Sequence, residues 1–513
     1  MRYWAPVLSM ALALATLAIH NHRFQPWMLD DAYISFRYAE NLAAGKGLVF
    51  NEGEHVEGYT TFLWVMLLAS GSALGLPLEA YSRVLSLGFA AGVAVLLAFA
   101  SRIAPRLPEG AGPVSLLLTG TCGVFTAWTM CGMEVPMVAF WGILAVLLHL
   151  RAREFSFSPL STAQPLQTGG KYATLACALS CVLATMSRPE SVLLFLVLFT
   201  DRLFLSIRRR DGDFFVFGLA FSAIYLPYFA WRFWYYGHFL PNTFYAKVGD
   251  NAGQLLRGWN YTTEFLSMGF TAAAPAYAAL LCIAALGKRH SGLYALGGFV
   301  LVHTLYVVAV GGDGMFASRF YSSVLPAFGL LGGCLLAPML RRPLPFLLAA
   351  ALILAFNMAQ IHSARKLNTK DPVARLGLAV GNWLRSHVPP NTLIATNTAG
   401  SIPYASKLPT IDTLGLNDET IAHRYVPSLG TGHAGHEKGD GDYVLSRRPD
   451  IIQFGSATGK KDPSFLGDEE VFKAPQFRKD YMFRRYALPD GGMVQLYIRK
   501  DREAALGLPA PLK

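Results

Sequence analysis

Long apolar runs separated by short polar segments fill the first 361 residues of the chain. Each run is long enough to cross a bilayer as a helix. The runs lie near 4–20, 60–77, 82–101, 113–130, 134–150, 172–186, 189–206, 214–234, 265–287, 291–310, 320–340 and 343–361. This pattern predicts a membrane all-α polytopic bundle with about twelve candidate spans.

Basic clusters between the runs indicate which of them cross. If all twelve runs crossed the membrane, the basic clusters would lie on the same side of it as the polar segment at residue 30, against the positive-inside tendency. The 60–77 run is broken by Gly71, Gly75 and Pro77, so we predict a juxtamembrane helix there and about eleven transmembrane helices. The clusters then become cytoplasmic; they are Arg151, Arg153 and Lys171, Arg208 to Arg210, Lys288 and Arg289, and Arg341 and Arg342.

The pattern changes after residue 361. Asp371 and Pro372 open an amphipathic helix, strand-like segments occupy 393–396 and 450–454, and Asp490 begins a hairpin turn. We therefore predict two domains. Residues 1–361 form the transmembrane domain, with its first extracytoplasmic loop at 22–80, and residues 362–513 form a soluble extracytoplasmic α/β domain.

Composition agrees with a membrane protein and excludes an ordinary soluble enzyme. Hydrophobic residues make up 53% of the chain and charged residues only 15%, whereas soluble domains carry about 25% charged residues. The net charge of +11 comes from short clusters between apolar runs rather than one basic patch. We therefore expect a lipid bilayer and no nucleic acid among the partners.

Two adjacent carboxylates, Asp30 and Asp31, directly follow the first apolar run. One stripe is marked by Ile34, Tyr38 and Leu42, a second by Tyr33, Arg37 and Glu40, and a stop by Gly45. This pattern predicts an amphipathic helix that is capped by Asp30 or Asp31 and lies in the membrane interface. Capping needs only one carboxylate. The second is left to bind a hydroxyl, a cation or a metal, and the pair can perturb each other's proton affinity.

The segment DDAYISFRYAENL, followed by GKGLVF and HVEGYT, resembles the first extracytoplasmic loop of GT-C superfamily glycosyltransferases. The similarity is greatest to the terminal arabinofuranosyltransferase-like branch, and YYGHFLPNTFYAK at 235–247 and GGDGMFASRF at 311–320 are similar to further loops of that branch. The resemblance implies transfer of a sugar, arabinofuranose or similar, from a polyprenyl-monophosphate donor to a hydroxyl of an extracytoplasmic glycan or glycolipid. It also implies the bacterial cytoplasmic (inner) membrane, with the active site and C-terminal domain on the periplasmic side.

Site residues follow from the same resemblance. In that superfamily the first loop carries the catalytic Asp, so Asp30 is expected to be the general base with Asp31 in support. Arg188, Lys247 and Arg319 are expected to hold the lipid phosphate. The full set of substrate-binding candidates is Tyr33, Arg37, Glu57, Glu134, Arg188, Glu190, His238, Asn242, Tyr245, Lys247, Asp313 and Arg319.

Structural alternatives stay open for several of these residues. Arg188 pairs either with Glu190 or with a lipid phosphate, and Arg319 either with Asp313 or with the departing phosphate. Glu134 either caps the following span or orients Arg188. The aromatic residues of 235–247 form either an interfacial belt or a sugar site.

A second glycine-rich segment carries weaker signals. Gly430 to Gly435 matches GxGxxG, but no strand precedes it, so a dinucleotide site is not predicted. His433, His436 and Asp440 lack the second ligand pair of a structural zinc site. No cofactor is indicated, and the sequence neither requires nor excludes a divalent metal. The string at 435–438, Gly-His-Glu-Lys, resembles the family's soluble domain without an assigned role.

Two other classes of function compete with the transferase. A transporter or flippase of lipid-linked sugars also has many spans with buried charge, but its halves usually repeat, and no repeat is visible. A glycan-binding structural protein would bind without turnover. The transferase is favoured.

Overall fold

The computed structural model describes residues 4–24, 28–155, 168–209, 211–286, 293–367 and 371–512. The chain divides into two compact units. The first, here the helical unit, comprises Met1–Pro26, Arg83–Trp231 and Gly258–Thr369. The second, here the mixed unit, comprises Trp27–Ser82, Arg232–Arg257 and Lys370–Lys513. Three residues of the predicted basic clusters, Arg210, Lys288 and Arg289, lie outside the described residues.

Helices dominate the described chain. In chain order they are α1 Trp4–Phe24, α2 Asp30–Ala43, α3 Phe62–Ala73, α4 Leu78–Ala98, α5 Ala100–Ile103, α6 Ala111–Gly120, α7 Gly123–Thr126, α8 Val135–Phe155, α9 Thr168–Ser187, α10 Val192–Arg209, α11 Asp213–Tyr236, α12 Asn242–Lys247, α13 Ala252–Met268, α14 Phe270–Leu286, α15 Tyr294–Ala309, α16 Arg319–Ser322, α17 Leu325–Leu336 and α18 Pro343–Ser363. After these come α19 Val373–His387, α20 Ser401–Ser406, α21 Glu419–His423, α22 Gly441–Ser446, α23 Leu466–Lys473 and α24 Pro475–Asp480.

Among the described helices, five are long and apolar enough to cross a membrane. They are Trp4–Arg23, Leu78–Ala98, Val135–Arg153, Asp213–Tyr236 and Pro343–Ser363. Two bent pairs, Ala111–Gly120 with Gly123–Thr129 and Ala252–Met268 with Phe270–Ile283, raise the count to as many as seven. Many large apolar side chains of these helices are exposed, as on Leu219 and Leu352, which suits a lipid environment. The predicted apolar bundle is thus confirmed, and the number eleven stays a prediction.

The mixed unit contains a five-stranded sheet. Its strands are β1 Ile394–Thr396, β2 Thr410–Asp412, β3 Ile451–Gln453, β4 Tyr481–Ala487 and β5 Met493–Arg499. The spatial order is β2-β1-β3-β5-β4, with β1 parallel to β2 and β3, and β5 antiparallel to β3 and β4. The predicted strands at 393–396 and 450–454 and the hairpin at 490 are confirmed, whereas β2 was not predicted.

Both faces of the sheet are covered, which makes this part an α/β sandwich. One face packs Ile394, Ile451 and Leu496 against Trp383 and Leu384 of α19. The other face packs Ala395, Ile411 and Ile452, which point away from the first face, against three helices. The helix residues are Val444 of α22, Val471 of α23 and Phe477 of α24. The alternation follows the two-residue period of a strand.

Helix α2 carries the Asp pair and is buried more completely than its pattern predicts. It packs against α3, α19 and α20 of the same unit. As a result, every residue from Ala32 to Ala39 is buried, including Ser35 and Arg37. The second predicted stripe, with Tyr33 and Arg37, is thus buried as well as the first, because neighbouring elements cover both faces of the helix. Its predicted end is confirmed: the helix stops at Ala43, and Gly45 has a φ of +75°.

Candidate active site

Asp30 does not cap its own helix. The N-cap residue of α2 is Leu29, which makes no side-chain capping bond. The Asp30 carboxylate instead accepts hydrogen bonds from a segment distant in sequence, at 3.0 Å from Gly400 N, 2.9 Å from Ser401 N and 2.5 Å from Ser401 Oγ. The capping interpretation was therefore wrong, because the carboxylate binds the start of α20. Burial raises the pKa of Asp30 to about 6, against the lowering effect of the bonds from Ser401.

Asp31 contrasts with its neighbour. Both residues are partly exposed, but within the described part of the chain the Asp31 carboxylate has no hydrogen-bond or ion-pair partner. Its charge acts on His436: partial burial lowers the pKa of His436, His433 and Lys247 lower it too, and Asp31 raises it. Asp31 and Lys247 therefore both act electrostatically on His436 in the mixed unit.

Lys247 ends helix α12 and is also partly exposed. Among the described residues its ammonium has no ion-pair or hydrogen-bond partner. A Cβ placed on Gly435 would lie 3.1 Å from Lys247 Cε, so the lysine stem passes directly beside the Gly-His-Glu-Lys string. An unpaired cation thus lies beside this loop, and an unpaired carboxylate acts electrostatically on one of its histidines.

Other predicted residues of the first loop are held by structural contacts. Tyr33 Oη donates to Glu79 at 2.7 Å. The buried Arg37 guanidinium uses four of its N–H groups on acceptors of the same unit. Glu57 forms a buried ion pair with Arg232. Its carboxylate accepts hydrogen bonds from Arg232 Nε at 2.9 Å and from Arg232 Nη2. In this structure all three side chains therefore have partners within the fold.

The segment after α11 joins the C-terminal residues of the mixed unit. Asn242 Nδ2 donates to three backbone carbonyls, those of Gly415, Leu416 and Asp418, at 2.9 to 3.2 Å. His238 Nε2 lies 2.8 Å from Glu419. The ring of Tyr245 lies 4.1 Å from that of His423, and His423 lies 4.6 Å from His238. The predicted aromatic loop is therefore a packed cluster with partly exposed faces.

The helical unit contains a separate group of predicted charges, and these are paired. Arg188 Nη1 lies 3.1 Å from Glu134 and its Nε lies 2.7 Å from Glu190. Arg319 Nε lies 2.6 Å from Asp313. All five side chains are at most 8% exposed. In this structure both arginines therefore make the carboxylate pairs of the structural alternative, with Glu134 bonded to Arg188.

Backbone strain accompanies the Asp313 pair. Ala317 and Ser318, both buried, have φ values of +46° and +43°, a region that non-glycine residues adopt at a cost of order 1–3 kcal/mol each. Trp128 holds the segment by donating to the Ala317 carbonyl at 3.0 Å and stacking on Phe316. These contacts therefore fix the backbone conformation of the loop that precedes Arg319.

Sequence reasoning missed several contributors. Arg232 could have been found, because a lone cation inside an apolar run requires an anionic partner. Ser401 and Arg257 carry no local signal.

Among the weak zinc candidates, Asp440 caps α22: its carboxylate accepts a hydrogen bond from Tyr443 N at 2.9 Å. No group of three His, Cys, Asp or Glu among the described residues could hold a metal ion.

The fold places the chain in a known structural class. The crystal structure of ArnT from Cupriavidus metallidurans bound to undecaprenyl phosphate aligns with a TM-score of 0.60. The alignment covers 98% of this chain and 99% of that one at 14% identity, a level that establishes the fold alone. The chain therefore shares the fold of ArnT, a GT-C enzyme.

Sequence relatives narrow this class. A terminal beta-(1->2)-arabinofuranosyltransferase of Corynebacterium glutamicum is 31% identical over 334 residues, covering 60% of this chain and 47% of the relative. One of the same name from Mycobacterium tuberculosis is 30% identical over 261 residues, covering 47% and 38%. The chain thus spans about half the length, or less, of the curated relatives that it matches. A family described as "Domain of unknown function (DUF8728)" matches residues 360–497. The predicted resemblance to the terminal arabinofuranosyltransferase-like branch is confirmed.

Proposed function

We propose that the protein transfers a sugar, arabinofuranose or similar, from a polyprenyl monophosphate to a hydroxyl of a glycan or glycolipid. The names of both curated relatives support the reaction and the sugar. A structure of the same fold holds undecaprenyl phosphate, which supports a donor with one phosphate on a polyprenyl chain. Nothing in these comparisons supports the transporter alternative.

The unpaired charges of Asp31 and Lys247 carry this proposal. A transferase of this kind needs a base for the acceptor hydroxyl and a cation for the departing phosphate. The base must be free to receive a proton. Asp30 already accepts three hydrogen bonds, so we transfer the base role from Asp30 to Asp31 and regard Asp30 as the residue that fixes the start of α2.

The chemical step follows from these roles. Asp31 takes the proton of the acceptor hydroxyl as its oxygen attacks the anomeric carbon. The bond from that carbon to the phosphate oxygen breaks, and its electron pair stays on the polyprenyl phosphate. Lys247 stabilises the charge that develops there. Glu57 and Asn242 act by shaping the surrounding loops through their own bonds.

Arg188 and Arg319 fit the phosphate role less well. Their two positive charges are already balanced by the carboxylates of Glu134, Glu190 and Asp313. A phosphate would have to displace one of those buried carboxylates, which is costly. We therefore assign these five residues to the architecture of the helical unit.

The orientation in the membrane belongs to the same proposal. About eleven spans in a bacterial cytoplasmic membrane put the basic clusters in the cytoplasm and residues 362–513 in the periplasm, following the positive-inside tendency. Reporters fused after Arg151 and after Ala364 are expected on opposite sides. Finding both on one side would contradict this topology.

Turnover of the purified protein tests the function directly. With a polyprenyl-phosphate pentofuranose and a glycan acceptor, we expect release of polyprenyl phosphate that requires both substrates. A glycan-binding protein would bind the acceptor without release, and a transporter would move the donor intact across a vesicle membrane. Either result would reject the transferase.

A further inference from the structure

The glycine–histidine loop, residues 430–438, has its own internal anion. Glu437 Oε1 accepts hydrogen bonds from Gly430 N at 2.9 Å and Gly432 N at 2.6 Å. The glycine N–H groups that resemble a phosphate-binding motif therefore bind a carboxylate of the same loop. Gly430 has a φ of +104°, which only glycine adopts readily. The loop is folded around Glu437.

Arg257 connects this loop to helix α12. Its Nη1 lies 2.6 Å from Glu437 Oε2 and donates to the Gly432 carbonyl at 3.2 Å. Its Nη2 donates to the carbonyl of Lys247 at 3.4 Å. Both partners of the ion pair are largely buried, at 16% and 8% exposure. One guanidinium thus holds the loop and the backbone of the proposed phosphate ligand together.

The loop carries a histidine pair next to Lys247. His433 Nδ1 and His436 Nδ1 are 3.0 Å apart, whereas His436 Nδ1 lies 3.4 Å from the Ala434 carbonyl. The shorter contact is the stronger bond. We assign the hydrogen of this contact to His433, so that His436 Nδ1 accepts, its contact with the Ala434 carbonyl is not a hydrogen bond, and the hydrogen of His436 lies on Nε2. That nitrogen has no partner among the described residues, and Phe465 supports the ring at 5.4 Å.

We propose that His436 is a further ligand of the donor phosphate, with Nε2–H donating to a phosphate oxygen beside the Lys247 ammonium. Glu437 and Arg257 are then positioning residues that hold the loop at this phosphate. The inference deepens the proposed function and rests on it. A polar N–H next to an unpaired cation suits an anion, and neither group needs to give up a partner to bind one.

Binding of decaprenyl monophosphate in detergent micelles tests the ligand role without turnover. Loss of a hydrogen bond to a charged group weakens binding by roughly tenfold or more. We therefore expect His436→Ala to raise Kd about tenfold, and His436→Gln to recover part of the loss because its amide can donate from a similar position. His387→Ala is the control, since His387 stacks on Trp383 in α19; its Kd should equal that of the wild type.

The positioning role has a matched pair of variants. Glu437→Gln keeps acceptors for Gly430 and Gly432 but loses the ion pair with Arg257. It should raise the donor KM several-fold while changing kcat little. Glu470→Gln breaks a pair of the same length, Arg424 to Glu470 at 2.6 Å, and should leave the donor KM unchanged.

Several results would overturn the inference. A wild-type Kd for a folded His436→Ala variant would remove His436 from the phosphate site, while wild-type turnover would keep the transferase proposal intact. If His436→Ala does not fold, His436→Leu, which still packs against Phe465, decides in its place. Decaprenyl phosphate binding that depends on His436 in a protein without turnover would keep the phosphate site and reject the transferase.

Discussion

Two groups of charged side chains, one in each unit, differ in one physical respect. In the helical unit, Arg188 and Arg319 are buried and matched by carboxylates. In the mixed unit, Asp31 and Lys247 are partly exposed and, among the described residues, unmatched. The first group satisfies itself, and the second is available to a ligand.

The difference has an energetic origin. An ionised group buried without a partner costs several kcal/mol, so buried charges are retained in pairs. A partly exposed charge keeps its hydration, so it can stay unpaired in the absence of a substrate. Pairing and exposure are therefore the criteria by which we assign Asp31 and Lys247 to the proposed site.

The largest expected effect is on catalysis at Asp31. Asp31→Asn removes the proton acceptor and should reduce polyprenyl-phosphate release by roughly 100- to 10,000-fold, the usual contribution of a general base. Melting curves should match the wild type, because no bond of the fold is lost. Asp30→Asn, the matched control, should retain more activity. The opposite order of the two variants would return the base role to Asp30.

Arg188 should show the reverse behaviour. Arg188→Met removes the cation between Glu134 and Glu190 and leaves two buried carboxylates, which costs about 3–5 kcal/mol. We expect a clear fall in melting temperature in detergent. The donor Kd, measured below the new melting temperature, should be that of the wild type. A stable variant that has lost donor binding would place Arg188 at the phosphate.

These contrasts define what the sequence could supply. Local patterns predicted the end of α2, the strands around Ile394 and Ile451 and the two arginine pairs as alternatives, because each depends on neighbours in sequence. The bonds from Ser401 to Asp30 and the hydrogen bonds of Gly430 and Gly432 to Glu437 were not predicted. Such pairings depend on how distant segments meet in the fold, and no spacing encodes them.

A smaller effect is expected at Lys247. Lys247→Met keeps the apolar stem beside Gly435 and removes the charge, so donor Kd should rise roughly tenfold, the value of one charge-assisted bond. The melting temperature should stay unchanged, in contrast to Arg188→Met. Lys461→Met, at an exposed position of the same unit, is the control and should change neither quantity. Unchanged donor binding in Lys247→Met would leave Asp31 as the sole unpaired charge of the proposed site.

The smallest effect concerns the pH dependence of stability at Asp30. Its pKa in the folded protein, about 6, lies above the ordinary value near 3.9. The folded state therefore binds this proton more tightly, and the resulting stability is fully present below about pH 4 and lost as the pH rises through about 6. Buried Asp412, with its pKa also raised to about 6, acts in the same direction.

Asp30→Asn cannot titrate at this position. Between pH 4 and pH 7 its melting temperature should therefore fall by a few degrees less than that of the wild type. Asp462→Asn, at an exposed position, should follow the wild type. A constant difference between Asp30→Asn and the wild type across this range would show that folding does not raise the pKa of Asp30.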